Sequence, residues 1–516
     1  MARWNYYVVV SPATLPPLPN GVPVPYRFAA WQPSLTTGGT APILDGQSFA
    51  ARLVQPFTLQ VDAFRDDPTS PSLFSGAIPG FGALTIANGD GAFDALCALG
   101  WDGRDVEVYR GPEGATSLAD CTRMFYGTAA DATWDRTSIT IPLRDFAEIL
   151  NVPVQDTLYA GTGGMEGGAA LTGRPKPLMI GEAEVVEGVL VSATESIYQW
   201  HDGVASITAL RDRGALYGAS AGDISDLGLA TLSAWTPVAG QWITDAAHGS
   251  ARIGSPPDGV VTADVAAEIG GTAAVGPLAR YVVTRQGTMA AGDVDLSQAS
   301  VGELGGFPVT APTTIAAVLD QLMVSGGGFW TLGFNRALRI VAPLQFATSV
   351  GTIDEKDCLD GPKRVRTESP IWRQRFGFAK TWRVHTAEEL AASVIGAERE
   401  ALMREAIYVV TEIDAVRVGH PLATTREVIS MISDSGPAGT AGGRQMSLLH
   451  QTRHRYELTV RGRQFQYRLG DTVTLRHPRF GLAAGKDFLV TGLTETAHDG
   501  AGTALRLYGP RVSGVY

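Results

Sequence analysis

Cysteine is nearly missing from this chain. Three occur in 516 residues, Cys97, Cys121 and Cys358, and none is spaced C-x-x-C. That excludes a disulfide framework and a cysteine zinc site, and it fits folding in a reducing compartment. Cys97 lies in an apolar run and reads as a small buried residue. Positive charge is also short: 41 Lys and Arg stand against 52 Asp and Glu, a formal net charge of -11. Duplex binding needs a basic face, so this balance argues against it. An acidic surface would instead let nucleic acid pass without sticking. Long apolar runs are missing too. None approaches the roughly 20 residues that cross a bilayer as a helix. The opening MARWNYYVVVSPATLPPLPNG has a short apolar part, Asn5, several prolines and no A-x-A site. It reads as a strand over 6–10 and a proline-rich arm, not a targeting segment.

What the chain has is punctuation. Glycine numbers 61 and proline 30, with 45% hydrophobic and 18% charged residues. This is an ordinary folding composition, and such punctuation favours many short strands joined by turns. The length suggests roughly three or four domains. Pro16, Pro17, Pro19, Pro23 and Pro25 stiffen the first 50 residues into an arm. Phe57, Leu59, Val61 and Ala63 alternate with polar residues, as a half-buried strand requires. Asp102-Gly103 signals a type I′ hairpin. Pro142 opens an expected short helix over 142–150. Ile315, Val318, Leu319, Leu322 and Met323 share one helical face, stopped by the glycines at 326–328. Strands over 329–332 and 338–341 then make a hairpin around Asn335 and Arg336. Residues 280–285 fit a strand or a short helix.

Further on, Thr386 and Glu389 form a capping box that predicts a helix over 387–406. A helix is also expected over 424–432. The clearest stretch is 463–492, RQFQYRLGDTVTLRHPRFGLAAGKDFLVTG. Phe465, Tyr467 and Leu469 alternate in one strand, Val473 and Leu475 in the next. A loop over 477–486 precedes a third strand at 488–490, and 503–509 adds another.

Candidate chemistry is thin. Gly218-x-Ser220-x-Gly222 has the spacing of a nucleophile elbow, which works by lifting the serine above a parallel sheet at a strand-to-helix turn. The residues that follow make a poor helix, so a plain turn explains it. His450 and His454 could share a metal on a helix, but the zincin glutamate is missing and the segment runs into a strand. There the two would be same-side surface residues. His201 beside Asp202 has no serine or cysteine partner and fits a turn. The glycine-rich stretch 160–181 has neither a third Rossmann glycine nor a Walker Lys-Ser/Thr; it reads as a flexible or partner-ordered loop. No cofactor or metal is expected. Lys363, Arg364, Arg366, Arg373 and Arg375, interleaved with Trp372, Phe376 and Trp382, could bind single-stranded nucleic acid. In an acidic chain, a β segment at a subunit contact is the preferred reading.

Several segments in order resemble a known family. They are GRPKPLMIG (173–181), IYQWHDG (197–203), RDRG (211–214), ARYVVTR (279–285), LDQLMVSGGGFWTL (319–332) with LRI (338–340), and LGDTVTLRHPRFGLAAGKDFLVTG (469–492) with LRLYG (505–509). WDGRDVEVYRG (101–111) is the piece in the first third. Together they are similar to the central baseplate or tail-tip hub proteins of long-tailed, siphovirus-like bacteriophages and gene transfer agents. The resemblance implies a mainly β, multi-domain chain with tail-tube-like β-barrels, a smaller α/β insertion and a C-terminal β-barrel. The expected division is an arm (1–50), a tube-like barrel (51–160), a glycine-rich loop and β domain (161–275), an α+β domain (276–345), a second tube-like segment (346–440) and a small C-terminal barrel (441–516).

The resemblance also implies a function. The chain would be a structural protein and not an enzyme, made in the host cytoplasm and placed at the virion tail tip. Three copies would make a ring that closes the tail tube until DNA leaves. Partners would be the distal tail or tube protein, the tape-measure protein and tail-fibre or tip proteins, with DNA passing through unbound. Arg373, Arg375, Trp372, Arg479 and Phe480 are the expected subunit contacts. Competing readings are a hexameric distal tail protein, a cell-wall hydrolase using Ser220 or His201, and a glycan- or receptor-binding tip with Trp235 and Trp242 lining a groove.

Overall fold

The computed structural model describes residues 4–14, 23–30, 42–63, 74–76, 78–112, 114–144, 146–267, 274–300, 302, 305–333, 336–462, 466–496 and 502–510. The fold is mainly β and multi-domain, as the sequence implies. Pro16, Pro17 and Pro19 of the expected arm, Asn335 and Phe465 lie outside the described residues, as does the Phe57 side chain.

The amino-terminal third makes a closed barrel. Its strands are Trp4–Val10, Tyr26–Ala30, Ala50–Asp62, Ile78–Ala87, Asp105–Pro112, Thr122–Ala129 and Ser138–Arg144. The ring closes where Tyr26–Ala30 runs parallel to Ala50–Asp62, with Phe28 opposite Ala50. Strand periodicity sends Tyr6, Val8 and Val10 inward, where they pack with Phe28, Val108 and Ile141. The stretch read as an arm therefore supplies two staves of the barrel. Its proline run masked the alternation on either side.

The carboxy-terminal β unit is joined to this barrel by one long strand, Leu482–Thr496. Its first part pairs with Thr472–His477 and its middle with Gly502–Pro510. From Gly492 onward it also pairs with the barrel, Leu493 opposite Val61 and Thr496 opposite Thr58. The register shifts between Val490 and Gly492, and such a bulge bends a strand locally. A side chain at 492 would press on Arg506, so glycine fits the bend. One 14-stranded sheet thus runs through both units. The carboxy-terminal unit also draws in Cys358–Glu368, paired with Arg453–Arg461.

Between them lie smaller sheets and helices. The helix Ile315–Gly326 buries the five apolar residues of its expected face. Thr314 Oγ1 accepts from the Ala317 amide at 3.2 Å, and Gly327 ends the helix in the left-handed region. The hairpin follows as Phe329–Leu332 and Leu338–Ala342. The helix Val275–Thr284 decides 280–285 in favour of helix. Residues 215–275, hard to assign from sequence, contribute strands including Gln241–Asp245 and Val261–Ala267.

Several expectations are corrected. Pro142 sits inside the strand Ser138–Arg144, opposite Ala83; the turn of 3-10 helix comes later, at Phe146–Asn151. Only Gly103 of the Asp102-Gly103 pair has positive φ, and the strand after it pairs with Trp4–Val10 and Thr122–Ala129, so no I′ hairpin forms. The 387–406 helix shrinks to Gly396–Leu402. Glu389 does accept from the Thr386 amide at 2.9 Å, but Leu390 and Val394 then pack with Val185 and Leu402, and Gly396 breaks the run at φ +61°. Thr424–Ile429 is a strand, not a helix, paired parallel to Ile371–Phe378; its β-branched residues favour that state. Cys97 is exposed.

Candidate assembly interface

Trp372, Arg373 and Arg375 lie on Ile371–Phe378, the central strand of a three-stranded sheet. Ile407–Glu412 flanks it antiparallel and Thr424–Ile429 parallel. The helix Ser435–Leu449 covers one face, and Gly442 lets it approach Phe376 so closely that a Cβ would sit 3.2 Å from that side chain. Alternation turns Gln374 and Phe376 inward, while Arg373 and Arg375 stay half-exposed. Arg373 Nε lies 2.8 Å from Glu412 Oε1, an ion pair without hydrogen-bond alignment. Arg375 Nη1 donates to Glu427 Oε2 at 2.7 Å and its guanidinium lies 4.3 Å from the Tyr408 ring centre. Arg417 stacks over Trp372 at 4.9 Å. Arg373 and Arg375 thus each face a cross-strand carboxylate, as sheet neighbours do.

The rest of the basic cluster is elsewhere. Lys363, Arg364 and Arg366 belong to Cys358–Glu368, in a different sheet. Linear proximity suggested one patch; the chain divides it in two at residues 369–370.

Arg479 and Phe480 form the tip of a carboxy-terminal hairpin. The expected loop over 477–486 is shorter: strand resumes at Leu482. Phe480 and Gly481 both take positive φ, +61° and +68°. Phe480 is 42% exposed, and its ring stacks on His477 with centroids 6.3 Å apart. The Arg479 guanidinium lies 5.4 Å from the ring centre. A bulky residue in the left-handed region is strained by about 1 kcal/mol or more, so this tip is both aromatic and held against its preference.

Other candidates resolve into scaffold. Ser220 is exposed on a strand, Ala219–Asp223, and accepts from the Gly222 amide at 3.1 Å; no helix follows to make an elbow. His201 is buried, with Nδ1 accepting from the Met179 amide at 2.9 Å. Burial, then Arg285, lowers its pKa to about 4. His450 caps a helix and His454 lies buried on a strand beside Thr367 Oγ1, so the two are not surface neighbours. Trp235 and Trp242 are buried in two different cores, which removes the aromatic groove. The 160–181 stretch closes on itself: Lys176 Nζ meets Glu166 Oε1 at 2.7 Å, and the Ala160 amide donates to Glu166 at 3.0 Å. Among the described residues no cluster of three metal-ligating side chains occurs, and no helix is long and apolar enough to cross a membrane.

No family model matches the sequence, and no curated protein does. Solved structures do match in shape. The tail protein from Neisseria meningitidis MC58 aligns over 98% of this chain and 97% of its own, at 10% identity and TM-score 0.42. The 43 kDa tail protein of prophage MuSo2 from Shewanella oneidensis covers 98% of both chains, at 8% identity and TM-score 0.41. A chain of the native gene transfer agent virion covers 66% of this chain and 85% of its own, at 12% identity and TM-score 0.39. These likenesses are loose and carry no functional argument.

The join between the two β units escaped the sequence. Arg506 pairs with Asp62 and also approaches Glu457 at 3.4 Å. No local signal marks a pairing between residues 444 positions apart.

Proposed function

We propose that this chain is a structural hub of a phage-type tail tip, with no catalytic role. Three copies form a ring that joins and closes the tail tube, anchors tip or fibre proteins, and opens for DNA ejection. The observation that carries this reading is the strand Leu482–Thr496, which fuses a closed barrel and a second β unit into one sheet. In the hub family that the sequence resembles, two β units per chain in a ring of three would give six, matching a sixfold tube above to a threefold tip below. The net charge of -11 suits a lumen that passes DNA without holding it. The ring neighbours would meet at the Trp372–Arg375 sheet and at the Arg479–Phe480 tip. Distal tail, tube and tape-measure proteins would meet the ring at its ends.

Native mass measurement with symmetry-resolved imaging of the purified protein tests it. A threefold ring is expected. A hexamer would assign the chain to the distal-tail class instead. A monomer at every concentration, with no incorporation into tails, would overturn the hub reading.

A further inference from the structure

Where the three parts of the chain meet there is a cavity of about 420 Å³. The barrel lends it Arg123 and Met124, the central region Asp295 and Arg339, and the carboxy-terminal unit Arg468 and Leu469. Arg339 is 8% exposed. Its Nη1 donates to the Leu469 carbonyl at 3.0 Å and its Nη2 to Asp471 Oδ1 at 3.1 Å. Its Nε has no acceptor. Arg123 and Arg468 are more open, with side chains 41% and 71% exposed. Their own carboxylates are weak partners: Arg123 reaches Glu107 at 3.3 Å, and Arg468 reaches Asp295 only at 4.0 Å.

We propose that this cavity is a binding socket for an anionic group on an apolar stem, a carboxylate or a phosphate. Three guanidinium groups line it against one carboxylate, Asp295. Asp471 and Glu107 balance Arg339 and Arg123 from outside the lining. On the wall itself cations outnumber carboxylates, and Arg468, whose carboxylate lies 4.0 Å away, is the least matched of the three, so an anion is favoured there over a cation or a wholly apolar guest. An oxyanion satisfies the arginines, because planar guanidinium groups match carboxylate and phosphate geometry. Met124 and Leu469, with Leu493, form the apolar side that accepts the stem. Sockets of this kind form where domains meet. A ligand there touches all three parts at once, so its binding also holds them together.

Two sources share the oxyanion chemistry: a free oxyanion, which would fill only the arginine end, and an acidic side chain of another polypeptide, which would also use the apolar side. Isothermal titration of the full chain with inorganic phosphate, and separately with N-acetyl-Leu-Glu-Leu amide, distinguishes them. Saturable phosphate binding alone assigns a free oxyanion; tighter peptide binding assigns an acidic segment. In both cases the doubly substituted variant Arg123→Gln with Arg468→Gln, at exposed positions that leave the core intact, weakens binding about tenfold or more. Saturable binding of neither probe overturns the proposal. So does unchanged affinity in that variant when its melting curve matches the parent. The socket is independent of the hub reading, since a monomer would retain it.

Discussion

Arg506, on the strand Gly502–Pro510, forms an ion pair with Asp62, the last residue of the barrel strand Ala50–Asp62. Asp62 is buried and Arg506 is partly open. The pair crosses the seam where Leu493 faces Val61. Backbone pairing sets the register of that seam; the ion pair ties it through side chains.

Asp62→Asn should therefore loosen the seam. That substitution leaves the partly open guanidinium with only the Glu457 carboxylate, at 3.4 Å, a loss of about 1 kcal/mol. Denaturant melts of Asp62→Asn, Arg506→Gln and the double variant would measure the coupling. A coupling energy of about 1 kcal/mol or more is expected. Strict additivity would mean that the two residues act separately.

His201 makes the stability pH-dependent. Burial, then Arg285, lowers its folded pKa from 6.5 to about 4. Below pH 6.5 the unfolded chain takes up a proton that the folded chain refuses. Stability should thus fall between about pH 6.5 and 4, then level off, with a total of about 3 kcal/mol from this group. Burial lowers the His385 pKa too, and its effect has the same sign. His201→Asn can keep an acceptor for the Met179 amide while removing the titration. Its melting temperature should drop less than the parent's between pH 7 and pH 4.5; an equal drop would place the acid sensitivity elsewhere.

What could be read in advance follows from range. The helix Ile315–Gly326 was legible because its five large apolar residues and its glycine stop lie close together in the chain. The helix Ser435–Leu449 was not. It carries Gly436, Gly439, Gly442 and Gly443, which lower helix propensity; packing against Phe376 decides it. The strand Thr424–Ile429 likewise depends on its neighbour Ile371–Phe378. At the candidate interface, the residue types of Trp372, Arg373 and Arg375 were visible. Their carboxylate partners Glu412 and Glu427 were not, because each comes from another strand.

Phe480 at φ +61° separates strain from contact. Phe480→Gly removes both the strain and the ring, whereas Phe480→Ala removes the ring and keeps most of the strain. The glycine variant should be the more stable of the two by about 1 kcal/mol in a denaturant melt. Both should weaken ring assembly if the exposed ring meets a neighbour. Intact assembly in both would leave the tip outside the interface.

Gln374 is the clearest internal inconsistency of the interface sheet. It is 1% exposed, and neither its amide oxygen nor its nitrogen has a partner. Next to it on the parallel strand is Arg426, whose Nη1 donates instead to Gln445 Oε1 at 2.6 Å. Gln445 in turn donates to the Val324 carbonyl at 2.9 Å, in the last turn of the helix Ile315–Gly326. The guanidinium thus reaches the negative end of that helix through one amide, which favours a cation there. Gln374 stays outside this chain. A buried amide without partners is destabilising by about 1–3 kcal/mol, and an apolar residue of the same shape removes that term. Gln374→Met should therefore raise stability by about 1 kcal/mol or more. Gln445→Met, which cuts the relay and strands Arg426, should lower it by at least as much. A loss of stability in Gln374→Met would show that the amide has a partner in solution, with a bound water between the sheet and the helix Ser435–Leu449 as the first place to look.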